Sequence, residues 1–154
     1  MIIPISIERV KETGVLDLVW RVFDEFESPD YSDEGIKEFK DFIEQDAIEQ
    51  VMLYGEFLLW GYYDGEKLVG MIASKPPCHI ALLFVEKEYH RKGIARSLYN
   101  TVIDYYKSNG TCTETTVNSS PYAVEVYHRL GFVDTDIEQS VNGLRFTPMK
   151  HMLE

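Results

Sequence analysis

One stretch of this sequence, residues 78–109, constrains the fold more than any other, because a strand runs directly into a helix there. Residues 78–85 are apolar apart from His79, which is typical of a strand covered on both faces. Residues 91–106 repeat apolar side chains at the spacing of an amphipathic helix. The stripe consists of Ile94, Leu98, Val102 and Tyr106, flanked by Ala95, Tyr99 and Ile103. We therefore predict a buried strand, a short polar junction and a helix packed on one face.

The junction, residues 86–93, has the chemistry of an anion-binding loop. The first backbone N–H groups of a helix lack acceptors and lie at the positive end of the helix dipole, so phosphates bind there. His90, Arg91 and Lys92 add basic side chains, while Gly93 removes a side chain where a ligand would approach the backbone. Neither a P-loop pattern nor the dinucleotide pattern Gly-x-Gly-x-x-Gly occurs, which excludes both of these nucleotide-binding loops.

Charge is unevenly distributed along the chain, whose formal net charge is −11. Residues 24–49 contain 11 acidic and 2 basic side chains, a net charge of −9, whereas residues 87–107 contain 5 basic and 2 acidic ones, a net charge of +3. The acidic surface repels nucleic acid and anionic membranes, so we predict neither as a partner, while the basic patch still suits a small polyphosphate. The acidic segment is either one wall of a binding site or only a solvated face.

The length of 154 residues suits one domain, and residues 1–154 are assigned to it. A cytoplasmic protein is predicted, because no apolar run could span a membrane and the N-terminus lacks the features of a signal peptide. Cys78 and Cys112 are too few for a disulfide framework, and neither belongs to a metal-binding pair. We predict reduced, buried thiols and no metal site; a disulfide between neighbouring parallel strands is the less favoured alternative.

The remaining chain alternates between helical and strand periodicity. Before the central stretch, strands are predicted over residues 2–7, 57–63 and 67–74, and helices over residues 13–27 and from about Ser32 to Ala47. After it, residues 111–117 form a strand parallel to residues 78–85, and a helix capped by Ser120 ends at Gly131. Residues 133–153 form two strands that turn near Asn142.

The junction resembles motif A of the GNAT superfamily, the acetyl-coenzyme-A-dependent N-acetyltransferases. That motif reads Gln or Arg, two variable residues, Gly, one variable residue, and Gly or Ala. The matching positions here are His90, Arg91, Lys92, Gly93, Ile94 and Ala95, and they depart from the family at His90. A second block resembles motif B, a short helix that ends in Tyr-x-x-x-Gly-Phe. Its residues are Asn118, Ser119, Ser120, Ala123, Tyr127, Gly131 and Phe132.

The resemblance covers about residues 1–150 and implies an α/β (α+β) fold. It implies a mixed, mostly antiparallel sheet of seven strands, split between strands 4 and 5 and flanked by about four helices. Acetyl-coenzyme A would lie in the split as cosubstrate, with its pantetheine arm along strand 4 and its pyrophosphate on the loop amides. The residues that the resemblance assigns to the coenzyme are Leu83, Phe84, Val85, His90, Arg91, Lys92, Gly93, Ile94, Ala95, Arg96 and Asn118. No metal is implied.

Acetyl transfer to an amine needs an acid for the departing thiolate and a base that keeps the amine neutral. The family places the hydroxyl of the motif B tyrosine near the sulfur, so Tyr127 is the candidate acid, with a core aromatic as the alternative reading. The base stays open among His79, Glu114, Glu25, Glu27 and an ordered water.

The expected acceptor is a primary amine on a small molecule or a peptide. We expect a cationic acceptor if the acidic segment, residues 24–49, forms the acceptor wall, as the first two helices do in the family. Two other functions are weighed: a module of the same fold that binds coenzyme A without turnover, and a protein-interaction domain whose acidic surface binds a basic partner. A homodimer is compatible with each of these functions.

Overall fold

The structure, a computed structural model, describes residues 1–110 and 112–153. Thr111, at which one predicted strand begins, and Glu154 lie outside these ranges. The helices of the described chain are α1 (Val10–Thr13), α2 (Val15–Phe26), α3 (Asp33–Phe42), α4 (Gln45–Tyr54), α5 (Ile94–Ser108) and α6 (Val124–Leu130). The strands are β1 (Ile2–Ile5), β2 (Leu58–Asp64), β3 (Lys67–Lys75), β4 (His79–Val85), β5 (Glu114–Ser119), β6 (Val133–Asp134), β7 (Gln139–Val141) and β8 (Leu144–Met152).

Seven strands lie side by side in the order β1-β2-β3-β4-β5-β8-β6, and β7 pairs with β8 outside this path. Each of these pairs is antiparallel except β4 with β5, whose parallel pairing is allowed by the long connection through α5. The mixed, mostly antiparallel α/β fold predicted from the sequence is thereby confirmed. The described chain has eight strands rather than seven, because residues 133–153 form three strands instead of two.

The sheet opens between β4 and β5, which confirms the predicted split. The parallel register holds for two residue pairs, His79 with Thr116 and Ile80 with Val117. His79 Nδ1 lies 2.8 Å from Thr116 Oγ1 and links the two strands at this closed end. From Ala81 onward, β4 pairs with β3 alone in the described chain, so the edge of β4 that faces β5 has free backbone groups.

One extra residue in β4 decides which side chains face each side of the sheet. Ser74 on β3 pairs with Ile80, and its neighbour Ala73 pairs with Leu82, which leaves Ala81 as a bulge. Because side chains alternate along a strand, the extra residue turns Ile80 and Leu82 to opposite faces. Ile80 joins the core beneath α5 and α6, whereas Leu82 joins the core beneath α2. Ala81 itself lines a cavity.

The structure contains one helix that was not predicted and divides another that was predicted as a single element. Gly14, with a φ of 71°, separates the additional short helix α1 from α2, and α2 corresponds to the helix predicted over residues 13–27. Ile43 and Glu44 leave helical geometry and separate α3 from α4, although apolar side chains continue at helical spacing through both. The described chain therefore has six helices rather than about four. None of these helices is long and apolar enough to cross a membrane.

The two cysteines form a disulfide, so the prediction of reduced thiols is wrong. Cys78 and Cys112 are bonded, and their Cα atoms lie 6.4 Å apart. Cys78 comes directly before β4, and Cys112 comes shortly before β5. Because these strands are parallel and pair at their first residues, the two cysteines lie side by side. The disulfide thus closes the same end of the sheet as the contact between His79 and Thr116.

Candidate active site

Two cavities meet where the sheet opens. The loop cavity, about 590 Å³, lies between helix α6 and the junction that follows β4. The hairpin cavity, about 320 Å³, lies between helix α3 and the hairpin of β7 and β8. Five residues line both cavities: Glu27, Leu83, Phe84, Ala123 and Tyr127. A ligand in one cavity would therefore meet a ligand in the other at these residues.

The loop before α5 leaves backbone amides free. Ser97 N–H donates to the Gly93 carbonyl across 3.0 Å, so the amides of Ile94, Ala95 and Arg96 precede the first hydrogen bond of the helix and have no acceptor within it. Gly93 has a φ of 78°, which a residue with a side chain adopts only at a cost. A Cβ at Gly93 would meet no atom within 4 Å, so this residue faces open space. The backbone here can bind an anion at the positive end of α5.

Most residues assigned to the coenzyme from the sequence line the loop cavity. They are Leu83, Phe84, Val85, His90, Arg91, Gly93, Ile94, Ala95 and Arg96. In the described chain, Lys92 does not line the loop cavity. Its ammonium lies 5.2 Å from the centre of the Tyr89 ring and forms a cation–π contact with it. Asn118, near the end of β5, lines the hairpin cavity instead.

The side chains of His90 and Arg96 also connect neighbouring parts of the wall of the loop cavity. His90 Nε2 donates to the Val85 carbonyl across 2.7 Å, and its ring centre lies 5.0 Å from that of Phe26. Arg96 Nη2 donates to the Arg129 carbonyl across 2.6 Å, which connects α5 with α6. Each side chain therefore has a polar atom engaged by the main chain, and each fixes the shape of the cavity.

Two further cations line the loop cavity, Lys87 and Arg129. Lys87 belongs to the basic segment noted in the sequence but was not assigned to the coenzyme, and Arg129 was not predicted at all. Lys87 Nζ lies 3.7 Å from the Glu25 carboxylate, at the edge of the cavity. Arg129 comes from α6, far along the chain from the loop, and no local pattern in the sequence marks it. Together with Arg91 and Arg96, these side chains surround the free amides with positive charge.

Tyr127 lies on α6, which begins later than predicted. Ser120 Oγ accepts a hydrogen bond from Ala123 N–H across 3.3 Å and caps a turn, so the helix begins at Val124 rather than directly after Ser120. The Tyr127 ring is 5% exposed and lies edge-on to Phe132, with ring centres 5.4 Å apart. Its hydroxyl forms no hydrogen bond with another described residue, and the side chain lines both cavities.

Glu27 directly follows α2 and is partly buried between the two cavities. Burial raises the pKa of its carboxyl to about 7; the Ser120 hydroxyl opposes this shift, and the Asp30 carboxylate adds to it. Burial also raises the pKa of the Tyr127 phenol well above its ordinary value, and the Glu27 carboxylate raises it further. A carboxylate that titrates near neutral pH is suited to accept a proton under physiological conditions.

The other candidate bases lie away from the meeting point of the cavities. His79 lines neither cavity, and burial together with the nearby Lys75 lowers its pKa to about 4. Glu25 faces Lys87 at the surface, and Glu114 on β5 lies outside both linings. Residues 1–110 and 112–153 contain no group of three or more His, Cys, Asp or Glu side chains that could hold a metal ion.

The hairpin cavity has aromatic walls and few charges. Its aromatic side chains are Phe23, Tyr31, Phe39, Phe42, Phe84, Tyr127 and Phe146, and its charged ones are Glu27, Glu38 and Arg145. The Arg145 guanidinium donates to the Glu138 carboxylate across 3.1 and 3.2 Å and to the Asp30 carbonyl across 3.1 Å. The Arg145 charge is thus paired with that of Glu138. The charged lining residues without an ion pair to another described residue are then the two carboxyl groups, Glu27 and Glu38.

The chain matches a known family and a curated relative in sequence. The family is described as Acetyltransferase (GNAT) domain, and the match covers residues 27–153. The relative is the UPF0157 protein YqkA of Bacillus subtilis (strain 168), which is 31% identical over 87 residues. That stretch is 54% of this chain and 25% of the relative, so this chain spans about a quarter of the length of that protein.

Solved structures share the fold over nearly the whole chain. A GCN5-related N-acetyltransferase from Rhodopseudomonas palustris is 22% identical and has a TM-score of 0.81, with 99% of this chain and 95% of that chain covered. The PaiA N-acetyltransferase from Thermoplasma acidophilum, solved in complex with coenzyme A, is 19% identical and has a TM-score of 0.81, with 99% of each chain covered. These structures show a shared fold, and the family match shows the membership. This chain belongs to the GNAT family of acetyltransferases.

Proposed function

We propose that this protein transfers an acetyl group from acetyl-coenzyme A to a primary amine. The observation that carries the proposal is that Glu27 and Tyr127 both line the loop cavity and the hairpin cavity. A base and an acid at the junction of two cavities suit a transfer between two ligands, one in each cavity. Membership of the GNAT family, and the coenzyme A complex of the relative from Thermoplasma acidophilum, support acetyl-coenzyme A as the donor.

The loop cavity suits the coenzyme. Its pyrophosphate would accept hydrogen bonds from the amides at the start of α5, where the helix dipole and the guanidinium groups of Arg91 and Arg129 add positive charge. The pantetheine arm carries amide groups, which would pair with the free edge of β4 at residues 83–85 as an added strand does. The thioester would then lie near Leu83 and Phe84, which line both cavities.

Glu27 and Tyr127 have opposite tasks in the transfer. Glu27 takes one proton from the acceptor ammonium, and the nitrogen lone pair then attacks the thioester carbonyl carbon. As the C–N bond becomes an amide, the C–S bond breaks and its electron pair leaves with sulfur. Tyr127 donates its proton to this sulfur and regains the second proton of the nitrogen, while Glu27 releases the first proton to solvent. Amide, thiol and one free proton are the products.

The raised pKa of Tyr127 is compatible with a role as acid. Burial disfavours a phenolate and a thiolate alike, because each group ionises to an anion. A thiol ordinarily has a pKa of about 8.5 and a phenol one of about 10, and in the same apolar surroundings both values rise. Proton transfer depends on the difference between the two pKa values, which changes less than either of them. Burial also keeps Tyr127 protonated before the thiolate forms.

A cationic acceptor is favoured by the charge of the acceptor side. Of the 11 acidic residues in residues 24–49, Glu27 and Glu38 line the hairpin cavity, which leaves nine outside its lining. Those nine would act at a distance, by raising the local concentration of cations and their rate of entry. The alternative is that they are only a solvated face, in which case the charge of the acceptor would not influence its rate of entry.

The test combines acetyl-coenzyme A with a panel of cationic, neutral and anionic primary amines. We expect release of free thiol together with an N-acetylated amine identified by mass spectrometry. Binding of acetyl-coenzyme A without thiol release for any amine would favour a binding module of the same fold and overturn the proposal. Added salt should raise the KM of a cationic acceptor, because salt screens attraction over more than about 8 to 10 Å. A KM independent of salt would contradict the role of the acidic segment.

A further inference from the structure

We propose that Glu38, together with Asn142, binds a second ammonium group of the acceptor, which makes the preferred acceptor a diamine with an apolar spacer. This inference rests on the proposed function, because it concerns the hairpin cavity as the acceptor site. The first amine would lie at Glu27, where the two cavities meet. The second would lie at the part of the hairpin cavity that is not shared with the loop cavity.

The position of Glu38 separates it from the reacting centre. Glu38 is on α3 and lines the hairpin cavity but not the loop cavity. Asn142, in the turn between β7 and β8, lines the same cavity, and its Nδ2 donates a long hydrogen bond (3.5 Å) to Glu38 Oε1. An ammonium, which has three donors, would take the place of this amide donor at the Glu38 carboxylate, and rotation of the Asn142 side chain would let its amide oxygen accept from the same ammonium.

Glu38 is available for a cation. In residues 1–110 and 112–153, no cationic side chain lies within ion-pair distance of its carboxylate. Lys37, its chain neighbour, bonds to Asp41 across 2.6 Å, and Lys40 lies over the Trp20 ring at 5.4 Å. The third cation near the cavity, Arg145, is compensated by Glu138 (3.1 Å). An ammonium ion would therefore find a carboxylate that forms no ion pair with the described residues and accepts one long hydrogen bond, from Asn142.

The aromatic wall of the hairpin cavity, which also contains both carboxylates, suits an alkyl chain. Phe23 and Phe39 stack with ring centres 3.9 Å apart, and Tyr31 stacks on Phe23 at 5.6 Å. These aromatic faces bury methylene groups and also attract cations, whereas they offer few partners to a polar or anionic spacer. The lining thus predicts an acceptor that is apolar in the middle and cationic at both ends.

Tight contact between α3 and the hairpin holds Glu38 and Asn142 opposite each other. Gly35 on α3 lies against Gly143, so closely that a Cβ on Gly35 would overlap the Gly143 carbonyl oxygen. The Tyr31 hydroxyl also donates to the Arg145 carbonyl across 3.2 Å. These contacts hold the backbones of α3 and of the hairpin against each other, so binding a ligand between Glu38 and Asn142 would mainly order their two exposed side chains.

The experiment uses primary amines that share a pentyl chain and differ in the far group: methyl, hydroxyl, ammonium or carboxylate. We expect wild-type kcat/KM to be highest for diaminopentane, by about 3- to 10-fold over aminopentanol, and lowest for aminopentanoate. Glu38→Gln should remove the advantage of the diamine. Glu38→Lys should reverse the order in favour of aminopentanoate. Glu34→Gln is the matched control, because Glu34 is exposed on the same helix and outside the cavity lining, and it should keep the wild-type order.

Calorimetric titration of diaminopentane into the coenzyme A complex separates this inference from the proposed function. We expect Glu38→Gln to weaken the binding of diaminopentane by about 3- to 10-fold, the same factor as its preference in kcat/KM, and Glu34→Gln to leave this binding unchanged. No diamine binding, or diamine binding and preference unchanged by Glu38→Gln, overturns the Glu38 site, while acetylation of any of these amines sustains the proposed function. Glu38-dependent binding with no acetylation of any amine would sustain the site and overturn the proposed function.

Discussion

Glu27, which follows α2, and Tyr127 on α6 are far apart in the chain, yet both line the two cavities, and the Glu27 carboxylate adds to the effect of burial in raising the pKa of the Tyr127 phenol. This relationship couples the two residues proposed as base and acid. When Glu27 takes a proton from the acceptor, its negative charge disappears and its contribution to the pKa of Tyr127 disappears with it. The phenol then becomes a stronger acid in the step in which the thiolate departs.

Replacing the hydroxyl of Tyr127 should affect turnover far more than folding. Tyr127→Phe keeps the ring that packs against Phe132, and the hydroxyl has no hydrogen-bond partner among the described residues. We expect kcat to fall by about 100-fold or more, the usual scale for loss of a positioned acid. The affinity for coenzyme A by calorimetry and the midpoint of urea unfolding should change little. Full turnover with chemistry rate-limiting would remove Tyr127 from the role of acid.

The pH dependence of turnover should reveal Glu27. Because its pKa is raised from 4.5 to about 7, the carboxylate needed as a base forms only as pH rises through about 7. We expect kcat/KM to rise along a limb with this apparent pKa, well below the ionisation of an alkyl amine near 10. Glu27→Gln should abolish the limb and lower kcat/KM by about 100-fold or more. A limb that persists in the variant would belong to another group.

The substitution Glu27→Gln should also stabilise the fold at alkaline pH. A carboxyl whose pKa is raised in the folded state stabilises the protein below its unfolded value of 4.5, and this contribution is lost as pH rises through about 7. Gln carries no charge, so Glu27→Gln should exceed wild type by about 1 to 3 kcal/mol in unfolding free energy at about pH 8. At about pH 4.5 this difference in unfolding free energy between the variant and the wild type should vanish. Urea unfolding at both pH values measures the difference, and equal stability at the higher pH would mean that Glu27 is not held in a desolvated site.

Local patterns carried most of the fold prediction. The apolar run of β4, the loop with Gly93 and the stripe of α5 are each encoded by neighbouring residues, so the sequence sufficed for them. The division between α3 and α4 escaped prediction, because apolar spacing continues through the break without Gly or Pro. Strand β7 escaped as well, since all three of its residues are exposed and it has no buried face to create a pattern.

The remaining features of the site depend on contacts between residues that are far apart in the chain. The base could not be chosen from the sequence, because the raised pKa of Glu27 depends on burial by elements that are remote in the chain. The disulfide was set aside for a different reason: the parallel pairing that brings Cys78 and Cys112 together was predicted, but a reducing compartment was assumed for the protein. Motif A located five lining residues of the loop cavity, and the resemblance to the family added Leu83, Phe84, Val85 and Arg96, whereas Arg129 needed the packing of α6. The assignment of all these residues, and of Lys92 and Asn118, to the coenzyme stays a prediction.

A pair of substitutions at Gly93 separates charge from backbone geometry. Asp and Asn are similar in size, and both tolerate a positive φ better than most residues do. We expect Gly93→Asn to weaken coenzyme A binding modestly and Gly93→Asp to weaken it by at least about 10-fold more, because the added charge faces a pyrophosphate. Calorimetry measures both constants. Equal losses would point to the backbone alone, and unchanged affinity in both variants would place the pyrophosphate elsewhere.

Removal of the disulfide should lower stability while leaving the two cavities intact. The bond between Cys78 and Cys112 closes a loop across a sequence separation of 34, which stabilises the folded state by about 3 to 4 kcal/mol if unfolded-chain entropy dominates. Neither cysteine lines a cavity, so coenzyme A affinity should be unchanged well below the unfolding temperature.

The comparison needs the wild type and the variant Cys78→Ala/Cys112→Ala, each unfolded in urea with and without a reductant. Reductant should lower the unfolding free energy of the wild type to about that of the variant and leave the variant unchanged, because the disulfide is the only cross-link that the described residues contain. A thiol titration of native protein isolated without reductant provides the decisive check. Two free thiols would mean that the short parallel register at His79 and Ile80 closes the sheet without covalent help.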